Sequence, residues 1–189
     1  MTSVHADDAM TNGESWPHDA VLHARWVQPG RLLAGEYPGH PYPEKAATKL
    51  RLLIDSGIGS IIDLTTDADH LTPYREILQA EAEKACRTVH YYSHPIPDLG
   101  VTDDAGYDAI LDRIKTEEEA GRAVYLHCWG GVGRTCTVIA CMLCDQGMDY
   151  DSAMARIARL RAGTRKAHRR VPESSAQRDF LHARCAHGR

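Results

Sequence analysis

One stretch limits what this chain can fold into more than any other: His127-Cys128-Trp129-Gly130-Gly131-Val132-Gly133-Arg134-Thr135. The short apolar run 123–126 precedes it and a long one, 137–143, follows. Strand, glycine-rich turn and helix in that order make backbone N–H groups converge on an anion. The cysteine sits where that anion would bind, and the arginine where its charge would be matched. Glycines 130, 131 and 133 are expected to give the backbone the left-handed freedom such a turn needs. A guanidinium can grip two phosphoryl oxygens at once, which lysine cannot reproduce. A Walker phosphate loop is excluded, because no Gly-Lys-Ser/Thr ending follows.

Around this stretch the pattern alternates. Two short strands flank the turn 28–30, and residues 37–41, with two prolines, break the chain. Residues 43–56 read as a helix, 58–64 as a buried strand, 67–71 as a loop, 73–86 as a helix and 89–92 as a strand. Pro95-Ile96-Pro97-Asp98-Leu99-Gly100 reads as an ordered loop around one aspartate. Asp104 is expected to cap the next helix and Asp151 a later one. A final helix opens at Pro172 and carries Gln177, Phe180 and Leu181.

This alternation predicts an α/β fold: one domain with a central, mainly parallel twisted sheet of 4–5 strands and helices on both faces. The phosphate loop then joins a central strand to a buried helix. The loops at 95–100 and 128–134 both follow strands, so they fall on the same edge of the sheet, where reactive loops gather. Residues 1–20 are polar and aperiodic and read as a flexible tail, 21–182 as the folded domain and 183–189 as a C-terminal tail.

Composition narrows the setting. The 189 residues suffice for one sizeable core, and a net charge of -4 gives no reason to expect nucleic acid. No leader-like apolar segment or long apolar span occurs, so a cytoplasmic protein without membrane partners is expected, acting as a monomer. The six cysteines show no zinc-ligand spacing, and Cys141-x-x-Cys144 lies within a helical pattern. Reduced, mostly buried thiols are therefore expected. His182, Cys185 and His187 read as a coincidence rather than a metal site.

Residues 127–135 resemble the HCxxGxGR-Ser/Thr signature of the cysteine-dependent protein tyrosine phosphatases. The resemblance extends over about 21–182 and is strongest to the small dual-specificity-like branch. Within it stands the cyclin-dependent-kinase-associated phosphatase group, which also follows Gly-Arg-Ser/Thr with a cysteine. The large tyrosine-specific enzymes carry a phosphotyrosine-recognition loop not found here, and the low-molecular-weight branch carries its loop at the N-terminus.

The resemblance implies roles. Cys128 would be the nucleophile; Arg134 and the loop formed by Trp129, Gly130, Gly131, Val132 and Gly133 would hold the phosphate. Thr135 would stabilise the sulfur as a leaving group, and His127 would brace the loop. Asp98, thirty positions before Cys128, fits the general acid, with Asp103 and Asp104 as fallbacks. Gln177 would position water, or else be an exposed residue on the last helix. No metal or other cofactor is implied.

Several alternatives stay open. Cys136 either packs in the first helical turn or forms a protective disulfide with Cys128. The basic residues Arg161, Arg165, Lys166, Arg169 and Arg170 are either solvated surface or the border of the active-site mouth. The substrate is expected to be a phosphoprotein or phosphopeptide, since lipid- and inositol-directed relatives tend to carry lysines in the loop and residues 129–132 offer none. A small-molecule phosphatase and a phosphate-binding pseudoenzyme are the rivals. A rhodanese-like transferase would not need the upstream acid.

Overall fold

The computed structural model of the chain describes residues 15–186. Its five strands are β1 (Ala24–Gln28), β2 (Leu32–Gly35), β3 (Ile58–Asp63), β4 (His90–Ser93) and β5 (Ala123–His127), and they form one sheet in the order β1-β2-β5-β3-β4. β5 lies at the centre, parallel to β2 on one side and to β3 on the other. β4 continues the parallel set beyond β3, and only β1 runs antiparallel, paired with β2. The six helices are α1 (Pro43–Asp55), α2 (Arg75–Lys84), α3 (Asp104–Glu119), α4 (Gly133–Asp145), α5 (Tyr150–Arg161) and α6 (Ser175–Ala186).

Alternation along the strands divides the apolar residues between two cores, because neighbouring side chains on a strand point to opposite faces. Leu32, Ile62, Val124 and Leu126 face α3, α4, α5 and α6, whereas Leu33, Ile61 and Tyr125 face α1 and α2. The helix after the loop, α4, is buried at every position from Gly133 to Cys141. Its start is therefore fixed by packing on nearly all sides, which gives the loop before it a rigid base.

Several boundaries depart from the sequence reading. Asp103, not Asp104, caps α3: its carboxylate accepts the Gly106 N–H at 2.8 Å, while Asp104 lies in the first turn. Asp149, not Asp151, caps α5 through the Ser152 N–H at 2.8 Å. With adjacent or near-adjacent aspartates, the register of the first turn selects the cap. The last helix begins at Ser175 rather than Pro172.

The described parts of both expected tails, 15–20 and 183–186, are engaged with the domain. Residues 1–14 and 187–189 lie outside the described residues. Trp16 is buried and donates to the Leu22 carbonyl at 2.8 Å, and Asp19 receives His23 and the Arg165 backbone N–H. At the other end, Arg184 is buried in α6 and pairs with Asp104, Asp108 and Asp145 at 2.6–3.0 Å. Cys144 and Cys185 are joined as a disulfide between α4 and α6, so the expectation of reduced thiols throughout fails for this pair. The two helices bring the cysteines' Cα atoms to 5.0 Å across a sequence separation of 41, a proximity that no local pattern encodes. Cys86, Cys128, Cys136 and Cys141 are free. Among the described residues no helix is long and apolar enough to cross a membrane.

Candidate active site

The loop leaves the carboxyl end of β5 with its carbonyls turned outward. Trp129 O accepts the Tyr37 N–H at 2.9 Å, Gly130 O accepts Lys166 Nζ at 2.9 Å, and Gly131 O accepts Arg25 Nη1 at 3.2 Å. In a trans peptide the N–H points opposite the C=O, so the following amides turn into the loop. Gly131 alone among the loop glycines takes a left-handed conformation, at φ 69°. A Cβ there would also lie 2.4 Å from the Gly35 carbonyl carbon. Gly133 is crowded instead: its Cβ would meet Glu173 Oε2, the movable end of a side chain, at 2.4 Å and Gln177 Nε2 at 3.1 Å. Gly130 meets neither constraint, which corrects the expectation of conformational freedom at all three positions.

Cys128 is buried at the floor of a cleft of about 680 Å³. Asp98, Arg134, Lys166 and Arg169 also line it, and Trp129 (57% exposed) and Leu99 (52% exposed) stand at its rim. The basic segment thus divides. Arg161 is buried and donates to the carbonyls of Lys166 and Arg169, holding the segment in place, while Lys166 and Arg169 border the mouth.

Arg134 is almost wholly buried and its donors are nearly all used. Nη1 donates to Asp69 Oδ2 at 2.9 Å and to the Ile96 carbonyl at 3.1 Å. Nη2 donates to Asp69 Oδ1 at 2.8 Å and lies 3.1 Å from Asp98 Oδ1, while Nε is buried without a partner. Asp69 is held in turn by Thr66, whose N–H and hydroxyl both donate to Oδ2. Burial alone would raise the Asp69 carboxyl; the Arg134 and Thr66 hydrogen bonds outweigh it and hold it below the usual carboxylate range. Sequence reasoning missed Asp69. Its only mark there is the Thr66-x-x-Asp69 spacing of a capping box, closed here around a 3-10 turn.

His127 is buried, with Nδ1 3.2 Å from Cys128 O and Nε2 2.7 Å from Tyr74 OH. A carbonyl can only accept, so Nδ1 carries the proton and Nε2 accepts from the tyrosine hydroxyl. Desolvation lowers the His127 pKa and pushes that of Tyr74 well above its ordinary value, keeping both neutral. Thr135 Oγ1 is buried and makes no hydrogen bond, so the expected contact with the cysteine sulfur is not made in this state. Gln177 is fully buried, against the reading of an exposed helical residue. Its Oε1 accepts the Glu173 N–H at 3.0 Å, which places its amide beside Gly133.

The fallback acids lie apart from this cluster in their bonding: Asp103 is a cap and Asp104 pairs with Arg184. Cys136 packs in the first turn of α4 and receives Arg25 Nη2 on its sulfur at 2.9 Å. Burial raises its thiol pKa, with Arg25 opposing, and neither Cys128 nor Cys136 is in a disulfide. At the C-terminal end, His182 stacks on Tyr150 and Cys185 is disulfide-bonded, while His187 lies outside the described residues.

A parallel sheet thus delivers a cysteine-to-arginine loop onto a buried helix, the arrangement expected from the resemblance to cysteine-dependent phosphatases. The chain belongs to the family described as Swiss Army Knife protein, DSP-PTPase phosphatase domain (PTP-SAK), whose model matches residues 22–183. Among curated proteins it is similar to human cyclin-dependent kinase inhibitor 3, with 33% identity over 131 residues, covering 65% of this chain and 61% of that protein. The Rattus norvegicus protein of the same name is 34% identical over 93 residues, covering 48% and 42% respectively. The chain thus spans at most about three-fifths of the length of these relatives. Among solved structures, Tk-PTP in its active form superposes with a TM-score of 0.66 at 22% identity, covering 90% of this chain and 98% of that one. Kinase associated phosphatase with its catalytic cysteine changed to serine gives 0.62 at 22% identity, covering 80% and 83%. At such identities the two structures speak for the fold.

Proposed function

We propose that the chain is a phosphomonoester hydrolase, of the protein-tyrosine or dual-specificity kind, working through a cysteinyl-phosphate. The observation that carries this reading is the convergence on one guanidinium. Asp69 fixes Arg134 from behind, Asp98 approaches it from the exposed side, and Cys128 lies on the floor of the same cleft.

In the first step the Cys128 thiolate attacks phosphorus in line with the ester oxygen. Inward-facing amides, the positive end of α4 and Arg134 hold the non-bridging oxygens. Arg134 Nε, buried without a partner, and the Nη2 hydrogen now shared with Asp98 are the donors available to phosphate. As the P–O bond breaks, Asp98 protonates the departing oxygen. In the second step water attacks phosphorus, Asp98 takes its proton, and the P–S bond breaks to release phosphate and restore the thiolate. Gln177, beside Gly133, orients that water, and the free hydroxyl of Thr135 stabilises the leaving sulfur. No metal takes part.

A phosphoprotein or phosphopeptide is the preferred substrate. The loop side chains Trp129 and Val132 carry no charge, and Trp129 with Leu99 gives the rim apolar surface suited to an aromatic ring. The test is hydrolysis of phosphotyrosyl and phosphothreonyl peptides, an inositol phosphate and a nucleotide, with chelator present. Phosphotyrosyl peptide should be turned over fastest, and Cys128→Ser should abolish turnover while retaining peptide binding. Faster hydrolysis of the inositol phosphate or nucleotide would favour the small-molecule reading.

A further inference from the structure

The cations in and around the catalytic cleft are not equally engaged. Lys166 is matched by Glu36 at 2.7 Å and by the Gly130 carbonyl, Lys49 lies 3.6 Å from Glu36, and Arg169 pairs with Glu173 at 3.0 Å. Directly beyond Glu173, which lines both spaces, is a second hollow of about 330 Å³. Arg170, Arg178, Tyr150, Ser174 and Ser175 also line it. Arg170 has no ion pair or hydrogen bond among the described residues, and Arg178 pairs only with its exposed neighbour Asp179. The hollow's single lining carboxylate, Glu173, is already neutralised by Arg169. Ser174 accepts the Gln177 N–H at 3.1 Å and still has its own hydroxyl proton to donate.

We propose that this hollow binds a second phosphoryl group on the substrate, while the first occupies the Cys128 loop. The proposal rests on the phosphatase reading above. The chemistry is that of an unmatched guanidinium fork with hydroxyl donors beside it, which suits a tetrahedral dianion. Asp151 and Asp179 contribute to the local field but do not line the hollow. Two arginines therefore face it against one carboxylate that is already paired. Tyr150, stacked on His182, forms a stiff wall. Because Glu173 lines both the hollow and the catalytic cleft, a substrate seated in both places would pass over that residue.

The test compares singly and doubly phosphorylated forms of one tyrosyl peptide, and a polyol monophosphate with its bisphosphate. Equilibrium binding is measured on Cys128→Ser, and kcat/KM on the otherwise native chain. In at least one pair the doubly phosphorylated ligand should bind about tenfold more tightly. That preference should vanish in Arg170→Ala/Arg178→Ala, fall in Arg170→Gln, and shrink with added salt. Hydrolysis of a small aryl monophosphate should be unchanged by these substitutions. The pair showing the preference identifies a peptide or a small molecule as the carrier. Equal binding in both pairs, or a preference that survives the double substitution, would overturn the proposal. Absence of turnover with every ligand would instead count against the phosphatase reading, since the binding comparison does not depend on it.

Discussion

Asp69 and Arg134 form a bidentate pair, 2.8 and 2.9 Å apart at its two contacts, with both side chains buried. The pair fixes the plane of the guanidinium before any phosphate arrives. A planar fork that misses by an ångström loses much of its grip, a misplacement that costs on the order of 100-fold in rate. Asp69→Asn keeps the shape but removes the charge. It should lower kcat/KM by about 100-fold and weaken inorganic phosphate binding in parallel, with the thermal midpoint of the fold largely kept. Wild-type kinetics in Asp69→Asn would show that Arg134 is positioned by other means.

Asp98 approaches Arg134 from the solvent side and is about half exposed. Its proposed task, protonating the leaving oxygen, matters most when that oxygen is basic. Asp98→Ala should therefore lower kcat strongly for a phosphotyrosyl peptide and much less for an aryl phosphate with a good leaving group. Equal losses on both, or none, would place the acid elsewhere.

Acid stability should depend on Glu117. This buried carboxylate accepts from Arg122 Nε at 2.6 Å, Tyr92 OH at 2.9 Å and Ser60 Oγ at 3.0 Å. Burial would raise its pKa, but these partners outweigh it and pull it down from 4.5 to about 2. A carboxyl more acidic in the folded state stabilises the fold above its unfolded value and loses that contribution as pH falls through the folded one. Urea midpoints of the wild type should thus fall between pH 4.5 and about 2, and Glu117→Gln should flatten that limb while lowering stability at neutral pH. An unchanged acid limb in Glu117→Gln would contradict the assignment.

Arg184 ties α6 to α3 and α4 through Asp104, Asp108 and Asp145. Removing one member of a fully buried pair costs about 3–5 kcal/mol. The three aspartates are partly exposed, so Arg184→Ala should cost less, about 2–3 kcal/mol in urea unfolding. A loss under about 0.5 kcal/mol, the range of ordinary surface substitutions, would mean that the cluster is only surface decoration.

What was legible in the sequence follows the range of the interactions involved. Strand β5 and helix α4 were readable because their apolar runs are local, and the loop between them because its glycines and arginine are adjacent in the chain. The position of Asp98 after β4 was readable from its prolines. Asp69 was not, because residues 67–71 carry no periodicity and its partner is 65 positions away. The caps at Asp103 and Asp149 turn on a register that composition does not decide. The Cys144–Cys185 bond and the Arg184 cluster arise only when α4 and α6 pack together.

In the proposed reaction the phosphoryl group passes through Cys128. Rapid acid quenching during turnover of a phosphotyrosyl peptide, followed by mass mapping of the chain, tests this transfer. A phosphoryl group should appear on the peptide containing Cys128, be absent from Cys128→Ser, and accumulate further in Gln177→Ala, where attack by water is slowed. Steady hydrolysis by Cys128→Ser, or turnover by the wild type with no phosphorylated Cys128 at any quench time, would contradict the account.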